Sequence, residues 1–421
     1  APPADTVGDV RRFTFARGNA RKVLVIPLYA LGALASFLVR REPQLWVFGS
    51  GSGIGEGALA LWRYVRATDP SLRLVWLTRN SRDVADAQAL GIKAVAKSSW
   101  RGFRLTLRAR VIVVTHGFGD ANRYGIRGGF VVQLWHGIPF KHLHLDSPAT
   151  LKIPLFSRFG TVQRTLRRAY ARSARGIGMF ATASALSAGR IRTAFDLPAD
   201  RVVVTGDPRD DVLFTETTEA ARERISVLLA DPRATTARTM LYAPTWRDGD
   251  PDPAIPREAD WQAIGDYLAG TDSLLLVRSH PLGVGDYSAG RVASDRILLL
   301  GSDLQGDITP LLPGIDLLIT DYSSIAFDFA LTGRPILFLA PDITEYSASR
   351  GLYEPYRDFS GSTEVTSWSA LLDLLRSIDG DPSVEKKARD HANWLADRVH
   401  AYRDGKNTAR VYDEIRARLT T

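Results

Sequence analysis

Cysteine is missing from all 421 residues, which excludes a disulfide framework and thiolate metal sites. That fits a reducing cytoplasm. No carboxylate cluster is read as a DxD-type metal motif, so no obligatory metal is expected. The segment His142–Asp146, HLHLD, lacks the HExxH spacing of a zinc hydrolase. Gly49–Gly57, GSGSGIGEG, does not give GxGxxG, and no acidic residue closes the next apolar run. A dinucleotide site is therefore disfavoured, and a flexible loop lining a cleft is the preferred reading. There is no internal repeat and no low-complexity tract.

Long apolar runs are scarce. Val23–Val39, VLVIPLYALGALASFLV, carries no charge and lies between Arg21-Lys22 and Arg40-Arg41. It is at the short limit for a hydrocarbon core of about 30 Å, and Pro27 and Gly32 weaken a straight helix. A secretory signal is opposed by the lack of a small-residue cleavage site and by the basic flank that follows. We expect a membrane-inserted or monotopic anchor, with a plain buried helix as the alternative.

What is present describes a folded protein of about two domains: 45% hydrophobic and 24% charged residues. The net charge of +8 favours an anionic partner. A second basic element, Thr161–Ile177, places Arg164, Arg167, Arg168, Arg172 and Arg175 at helical spacing beside Val162, Leu166 and Ala169. Such a face suits anionic headgroups, at about 1 kcal/mol per basic residue; a solvated helix face is the alternative. Nucleic acid is disfavoured, because the basic residues are not interleaved with aromatics and no binding module is recognisable.

Short apolar runs alternate with helical patterns throughout, predicting parallel sheets in an α/β fold. Strands are expected near 45–48, 72–77, 111–115, 131–135, 178–183 and 202–205 in the first half. In the second they fall near 240–243, 274–277, 297–300, 317–320 and 336–339. The division expected is a membrane-associating segment at 1–43 and a Rossmann-like acceptor domain at 44–214. A connection at 215–239, a Rossmann-like donor domain at 240–400 and a terminal helix at 401–421 complete it. Polar residues end these runs, and His116, His136 and His280 are three of the seven histidines. In open α/β sheets ligands bind outside the carboxyl ends of the strands. Two domains facing across a cleft follow.

The most informative stretch is Ile315–Pro341, IDLLITDYSSIAFDFALTGRPILFLAP. An apolar run stops at Thr320-Asp321-Tyr322-Ser323-Ser324, and a helical run follows. That junction leaves backbone N–H groups suited to a phosphate, and Ser323 and Ser324 are expected to cap the helix and donate hydroxyls. In Gln133–Lys141, QLWHGIPFK, His136 ends a strand, Gly137 permits a tight turn and Lys141 can reach an anion. An imidazole suits proton abstraction from an attacking hydroxyl; a histidine capping a strand end is the bland alternative. Arg247 and Arg278 could neutralise phosphate charge and His280 could meet a leaving phosphate, or the arginines could form surface ion pairs. Gly206–Asp211 is read as a turn closing the first domain.

The ordered set WHGIPFK, TGDPRDD, YAPTWRD, RSHP and TDYSS, followed by PDITEYSASRG and DGKNTAR, strongly resembles the CDP-glycerol glycerophosphotransferases. These are teichoic-acid primases and polymerases with relatives that build capsules. The resemblance spans roughly Leu45 to Arg410. It implies a two-Rossmann, GT-B-type fold at the cytoplasmic membrane face. It also implies transfer of a polyol phosphate from a CDP-polyol to a hydroxyl of a polyprenyl-linked or polymer acceptor, with release of CMP. The essential histidines fall on His136 and His280. Donor contacts fall around Arg278, Thr320, Asp321, Ser323, Ser324 and Asp328, and Arg350-Gly351 closes the tyrosine-rich segment. This chain has Ile138-Pro139-Phe140 where the family usually has Thr-Pro-Leu, which is read as a more apolar acceptor side. Rivals are a nucleotide-sugar glycosyltransferase or epimerase of the same fold, and a catalytically silent module binding an anionic polymer.

Overall fold

The computed structural model describes residues 26–147, 160–247, 251–279 and 285–420. The first half forms a seven-stranded sheet from β1 (Glu42–Phe48), β2 (Arg73–Thr78), β3 (Ala94–Ala96), β4 (Ala109–Val114), β5 (Phe130–Gln133), β6 (Ile177–Thr182) and β7 (Val202–Val204). Its order is β3-β2-β1-β4-β5-β6-β7, parallel throughout. The second half forms a five-stranded parallel sheet from β8 (Arg238–Ala243), β9 (Ser273–Val277), β10 (Ile297–Leu299), β11 (Leu317–Thr320) and β12 (Ile336–Phe338). Its order is β10-β9-β8-β11-β12.

Helices cover both faces of such sheets, so the strands read as apolar runs without alternation. Every residue of β9, SLLLV, and of β11, LLIT, is buried. The strand missing from the sequence reading is β3. Three residues, Ala94-Val95-Ala96, at a sheet edge and only partly buried, give too little pattern to detect.

In both sheets the strand order reverses at one point, between β1 and β4 in the first and between β8 and β11 in the second. The loops leaving those strands flank the crevice where doubly wound sheets take ligands. The Gly-rich loop and His116 follow β1 and β4; Thr245 and the Asp321–Ser324 turn follow β8 and β11. The two sets of strand ends face each other. Glu56 N–H donates to Asp307 Oδ2 at 2.8 Å, and Arg82 donates to the Asp303 carbonyl.

The halves also share a core. Ile138 and Phe140 leave the first sheet and are buried among Phe327, Phe338 and Phe359 of the second, with Phe140 stacked on Phe359 at 4.1 Å. Tyr353 N–H donates to the Phe140 carbonyl at 3.0 Å, and His142 N–H to the Gly351 carbonyl at 3.1 Å. This corrects the expectation that Ile138-Pro139-Phe140 makes the acceptor side more apolar: the two side chains are interdomain core. Burying each contributes about 1.5–3 kcal/mol.

The chain then crosses back. The helix Pro382–Val399 packs Ala392, Leu395 and Val399 on the second core, whereas Asn407–Thr420 packs Val411, Tyr412 and Ile415 on the first. Asp211 accepts from Asn407 N–H at 2.9 Å and Thr408 N–H at 2.8 Å, capping that last helix. Gly206 has φ 80°, and a Cβ there would overlap Asn407 Oδ1. The TGDPRDD and DGKNTAR segments are thus two halves of one joint.

The helix Ile26–Leu38 lies outside both cores, while residues 23–25 fall outside the described ones. Leu31, Leu34, Phe37 and Leu38 are 63%, 59%, 74% and 80% exposed. The buried-helix alternative is therefore overturned. Gly32 seats the helix on Tyr124, whose ring meets Tyr29 edge-on at 5.1 Å. Among the described residues no helix is long and apolar enough to cross a membrane.

Candidate active site

The Gly-rich loop is tied down at both ends. Ser50 and Ser52 hydroxyls donate to the Glu56 carboxylate at 2.9 and 2.8 Å. Glu56 itself has φ 55°, a conformation costly for a non-glycine residue and held by its bond to Asp307. A Cβ on Gly51 would overlap the His116 ring at Cγ, so only glycine allows the loop to lie against that ring. The loop lines the cleft as expected, but as a bonded element.

Past β5 the backbone turns sharply. Trp135 has φ 65° and Gly137 φ 143°; a bulky residue in the left-handed region costs about 1–3 kcal/mol. That turn brings His136 Nδ1 to 3.3 Å from the Thr115 carbonyl. A carbonyl only accepts, so Nδ1 carries a proton and donates it. The ring stacks on His116 with centroids 4.0 Å apart and planes 3° from parallel, and contacts the Trp135 ring at 4.3 Å.

Arg209 holds this turn to the second domain. Its Nη1 donates to the His136 carbonyl at 2.9 Å and its Nη2 to Asp328 Oδ1 at 2.6 Å. Nε lies 3.1 Å from Asp207 and 3.8 Å from Asp210. Burial works against the guanidinium charge, but Asp328, Asp207 and Asp210 outweigh it and raise the Arg209 pKa. One cation does not balance three carboxylates. Burial accordingly pushes Asp207 up, and pushes Asp328 up to about 7 with Arg209 opposing. Beside them His400 Nδ1 lies 3.4 Å from Asp210 Oδ2, and the other ring nitrogen meets the Phe327 carbonyl at 2.9 Å.

Across the cleft, Asp321 is a hub. Oδ1 accepts from Thr245 N–H at 2.8 Å and Tyr322 N–H at 2.6 Å, while Oδ2 meets Arg247 at 3.0 Å. Arg247 also pairs with Asp342 at 2.8 Å and lies over the Tyr346 ring at 4.7 Å. Burial opposes its charge, yet Asp342 and Asp321 raise its pKa. Thr320 donates its hydroxyl to the Ala243 carbonyl at 2.7 Å. Arg278 is taken up by the carbonyls of Leu300, Gln305 and Gly306 at 3.3, 2.8 and 2.9 Å, fixing the loop that carries Asp307.

Ser324 starts the helix Ile325–Ala330 but makes no side-chain capping bond, contrary to expectation. Its hydroxyl instead faces the first domain, 3.0 Å from where a Cβ on Gly137 would lie. Of the expected site residues, His136, Gly137, Ser324 and Asp328 are thus brought together at the joint. Thr320, Asp321 and Arg247 lie beneath the turn, and Arg278 under its neighbouring loop. Lys141 pairs through its main chain with Leu352. His280 lies outside the described residues, as does the Arg350 side chain. Sequence reasoning assigned no role to Arg209, Glu56, Asp307 or His116, the last placed only at a strand end facing the cleft. The signal for Arg209 was an arginine set in the aspartate run Asp207–Asp211; the other three are defined only by the fold.

The family model described as CDP-Glycerol:Poly(glycerophosphate) glycerophosphotransferase matches residues 33–417. A teichoic acid glycerol-phosphate transferase of Staphylococcus aureus (strain NCTC 8325 / PS 47) is 26% identical over 386 residues, 89% of this chain and 93% of the relative. The teichoic acid ribitol-phosphate polymerase TarK of the same strain is 27% identical over 290 residues, 68% of this chain but 52% of the polymerase. The chain therefore spans about half of that longer relative. In fold it is similar to the wall teichoic acid polymerase TagF. For a histidine-to-asparagine TagF variant soaked with CDPG the TM-score is 0.72 at 23% identity, covering 97% and 99% of the two chains.

Removing one partner of a buried ion pair costs about 3–5 kcal/mol. Arg209→Ala is expected to lose that much stability in urea unfolding, and Asp328→Asn less. A double-mutant cycle should give a coupling of at least about 1 kcal/mol; additive losses would show that the bridge does not join the halves.

Proposed function

Since the chain belongs to the CDP-glycerol:poly(glycerophosphate) glycerophosphotransferase family, we propose that it transfers a polyol phosphate, glycerol phosphate first, from a CDP-polyol to a hydroxyl of a membrane-linked acceptor. The observation that carries this reading is the His136 ring. Its Nδ1 proton is committed to the Thr115 carbonyl, and its backbone is bolted by Arg209 against Asp328 of the helix that follows the Asp321–Ser324 turn. Nε2, at the mouth of both switch points, is the nitrogen proposed to take the proton.

In the proposed step the acceptor oxygen attacks the polyol-side phosphorus. The new O–P bond forms as the bond to the CMP phosphate oxygen breaks, and the hydroxyl proton passes to His136 Nε2. Ser323, Ser324 and their N–H groups would meet the pyrophosphate, with Lys141 and Arg350 supplying positive charge. His280 and Arg278 would stabilise the departing phosphate, Arg278 by fixing the loop beside it. Arg247, Thr320 and Asp321 act by shaping the turn. Chemistry of this kind rests on positioning and charge neutralisation. No obligatory metal is proposed.

His136→Ala and His280→Ala should each lose about 10²–10⁴-fold in turnover while folding normally. Wild-type protein given CDP-glycerol and a lipid-linked or soluble acceptor should release CMP in step with a glycerol-phosphate mass added to the acceptor. Turnover with CDP-ribitol alone would change the polyol. Release of a nucleoside diphosphate from a nucleotide sugar, without CMP from any CDP-polyol, would favour the glycosyltransferase alternative.

The exposed apolar face of Ile26–Leu38, with Arg127 over Phe37 at 5.2 Å and Arg40 at its end, is proposed to lie on the cytoplasmic membrane surface. The basic helix Gly160–Ala174 is the second contact. Interfacial helices combine apolar burial with attraction to anionic lipid. Leu31→Glu with Phe37→Glu should abolish co-sedimentation with vesicles containing phosphatidylglycerol and leave turnover on a soluble acceptor unchanged. Undiminished sedimentation would remove the helix from the account.

A further inference from the structure

The carboxyl ends of β3 and β4 lead into a surface of one sign. Between Lys97 and Gly129 the only acidic residue is Asp120. Its carboxylate is buried and accepts from the main-chain N–H groups of Thr115 and His116 at 3.0 and 2.6 Å. Lys97 Nζ donates to the Gly119 carbonyl at 2.5 Å, and Asn122 Nδ2 donates to the Lys97 carbonyl at 2.8 Å, so the two loops form one piece. Among the described residues neither Lys97 nor Arg123 forms an ion pair. Burial pulls the Lys97 ammonium below its ordinary pKa, with Asp120 opposing and Arg79 and Arg123 adding to the fall. Arg79 is different, because its guanidinium is closed by Asp83 at 2.9 Å. Lys97 and Arg123 thus carry charge that the protein does not neutralise beside them.

Between these cations and the proposed base lies bare backbone. A Cβ on Gly117, φ 129°, would meet nothing within 4 Å, and one on Gly119 would meet only Arg123 Nη2, at 3.5 Å. Open space therefore lies over this loop. The His116 ring, stacked on His136 at 4.0 Å, stands at its start, and Lys97 and Arg123 at its end. From His116 to Gly119 an extended chain would span at most about 11 Å, and the 3₁₀ turn Phe118–Asp120 shortens that. In a polyol phosphate the terminal hydroxyl is only a few bonds from the phosphate that bears the polyol. A hydroxyl held at His136 would bring that phosphate over Gly117 and Gly119, where an ammonium and a guanidinium can share its oxygens.

The same loop continues into the seat of the exposed helix Ile26–Leu38. Tyr124, next to Arg123, supports Gly32. Arg41, just past that helix, donates to the Thr106 and Gly125 carbonyls at 3.0 and 3.2 Å. The two cations are therefore fixed beside the surface proposed to lie on the membrane, where a membrane-linked acceptor would arrive.

We propose that Lys97 and Arg123 bind a phosphate group of the acceptor on the Gly117–Gly119 floor, between the helix Ile26–Leu38 and His136. The inference rests on the transfer reading and deepens it: the acceptor is an anion, recognised through a phosphate next to the hydroxyl that reacts.

Calorimetric binding to the full chain tests this without turnover, using a soluble oligo(glycerol phosphate) and a short-chain prenyl diphosphate, with glycerol as the uncharged control. Binding should weaken as salt rises. Arg123→Gln and Lys97→Met should each weaken it at least about 10-fold, the scale of one charge-assisted hydrogen bond. Arg123→Lys and Lys97→Arg should retain most of it. Arg123 is exposed, so its variant should melt as the wild type does and decides the matter even if Lys97→Met unfolds. A loss with the oligomer assigns the site to phosphates of the acceptor chain, and a loss with the prenyl compound to the lipid linkage. No binding of either compound by the wild type, or equal binding by wild type and Arg123→Gln, would overturn the inference. So would a loss seen only in co-sedimentation with phosphatidylglycerol vesicles, which would make the patch a lipid contact. Kinetics keeps the two readings apart. Arg123→Gln should show a raised acceptor KM beside a wild-type donor KM, whereas a wild-type chain that releases no CMP from CDP-glycerol with any acceptor would count against the transfer reading alone.

Discussion

Arg209 is the residue on which the geometry of the cleft depends. Each sheet is complete by itself, with its own switch point and polar strand ends, and neither has a reason to face the other without a joint. Arg209 supplies that joint beside the proposed base: two of its nitrogens span from the His136 carbonyl to Asp328. The nearby packing of Phe140 on Phe359 and the bond from Glu56 to Asp307 close the same seam on either side. Apolar burial is non-directional and brings the halves together. The buried ion pair, which is worth little as net stability, sets their register.

Seen from this joint, the residues divide by task. Asp321, Arg247 and Asp342 form a closed electrostatic unit that holds the turn of the second domain rigid, and Arg278 does the same for the loop carrying Asp307. Groups whose charges are spent inside the protein act on a substrate through the shape they impose. The hydroxyls of Ser323 and Ser324, the N–H groups of their turn and the Nε2 lone pair of His136 are the groups proposed to act directly. An arrangement fixed before the substrate arrives needs no reorganisation at the moment of reaction. The strained backbone at Trp135 and Glu56 is offset by the bonds that hold it.

Much of this was legible in the sequence, for a physical reason. Strands buried on both faces leave uninterrupted apolar runs, so the elements near Leu72 and Leu317 announce themselves, and the polar residue ending each run marks the cleft. Ala94–Ala96 had no such signature. Ile138 and Phe140 show the opposite failure: apolar residues beside a candidate catalytic histidine invite a substrate reading, and only the fold reveals that the other domain covers them. Arg247 and Arg278 were recognisable as important, but that one meets carboxylates and the other backbone carbonyls is a matter of tertiary distance. His116 and His136 lie twenty positions apart, at the ends of adjacent strands. Periodicity brings them to the same edge and says nothing of their stacking.

The central claim is that the acceptor hydroxyl attacks the donor phosphorus directly, with His136 taking its proton and no covalent bond to the protein. A CDP-glycerol made chiral at the glycerol-side phosphorus with sulfur and isotopic oxygen would test this most directly, by the configuration of the diester formed. One in-line displacement predicts inversion. Retention would require two displacements through a phosphorylated side chain and would contradict the account.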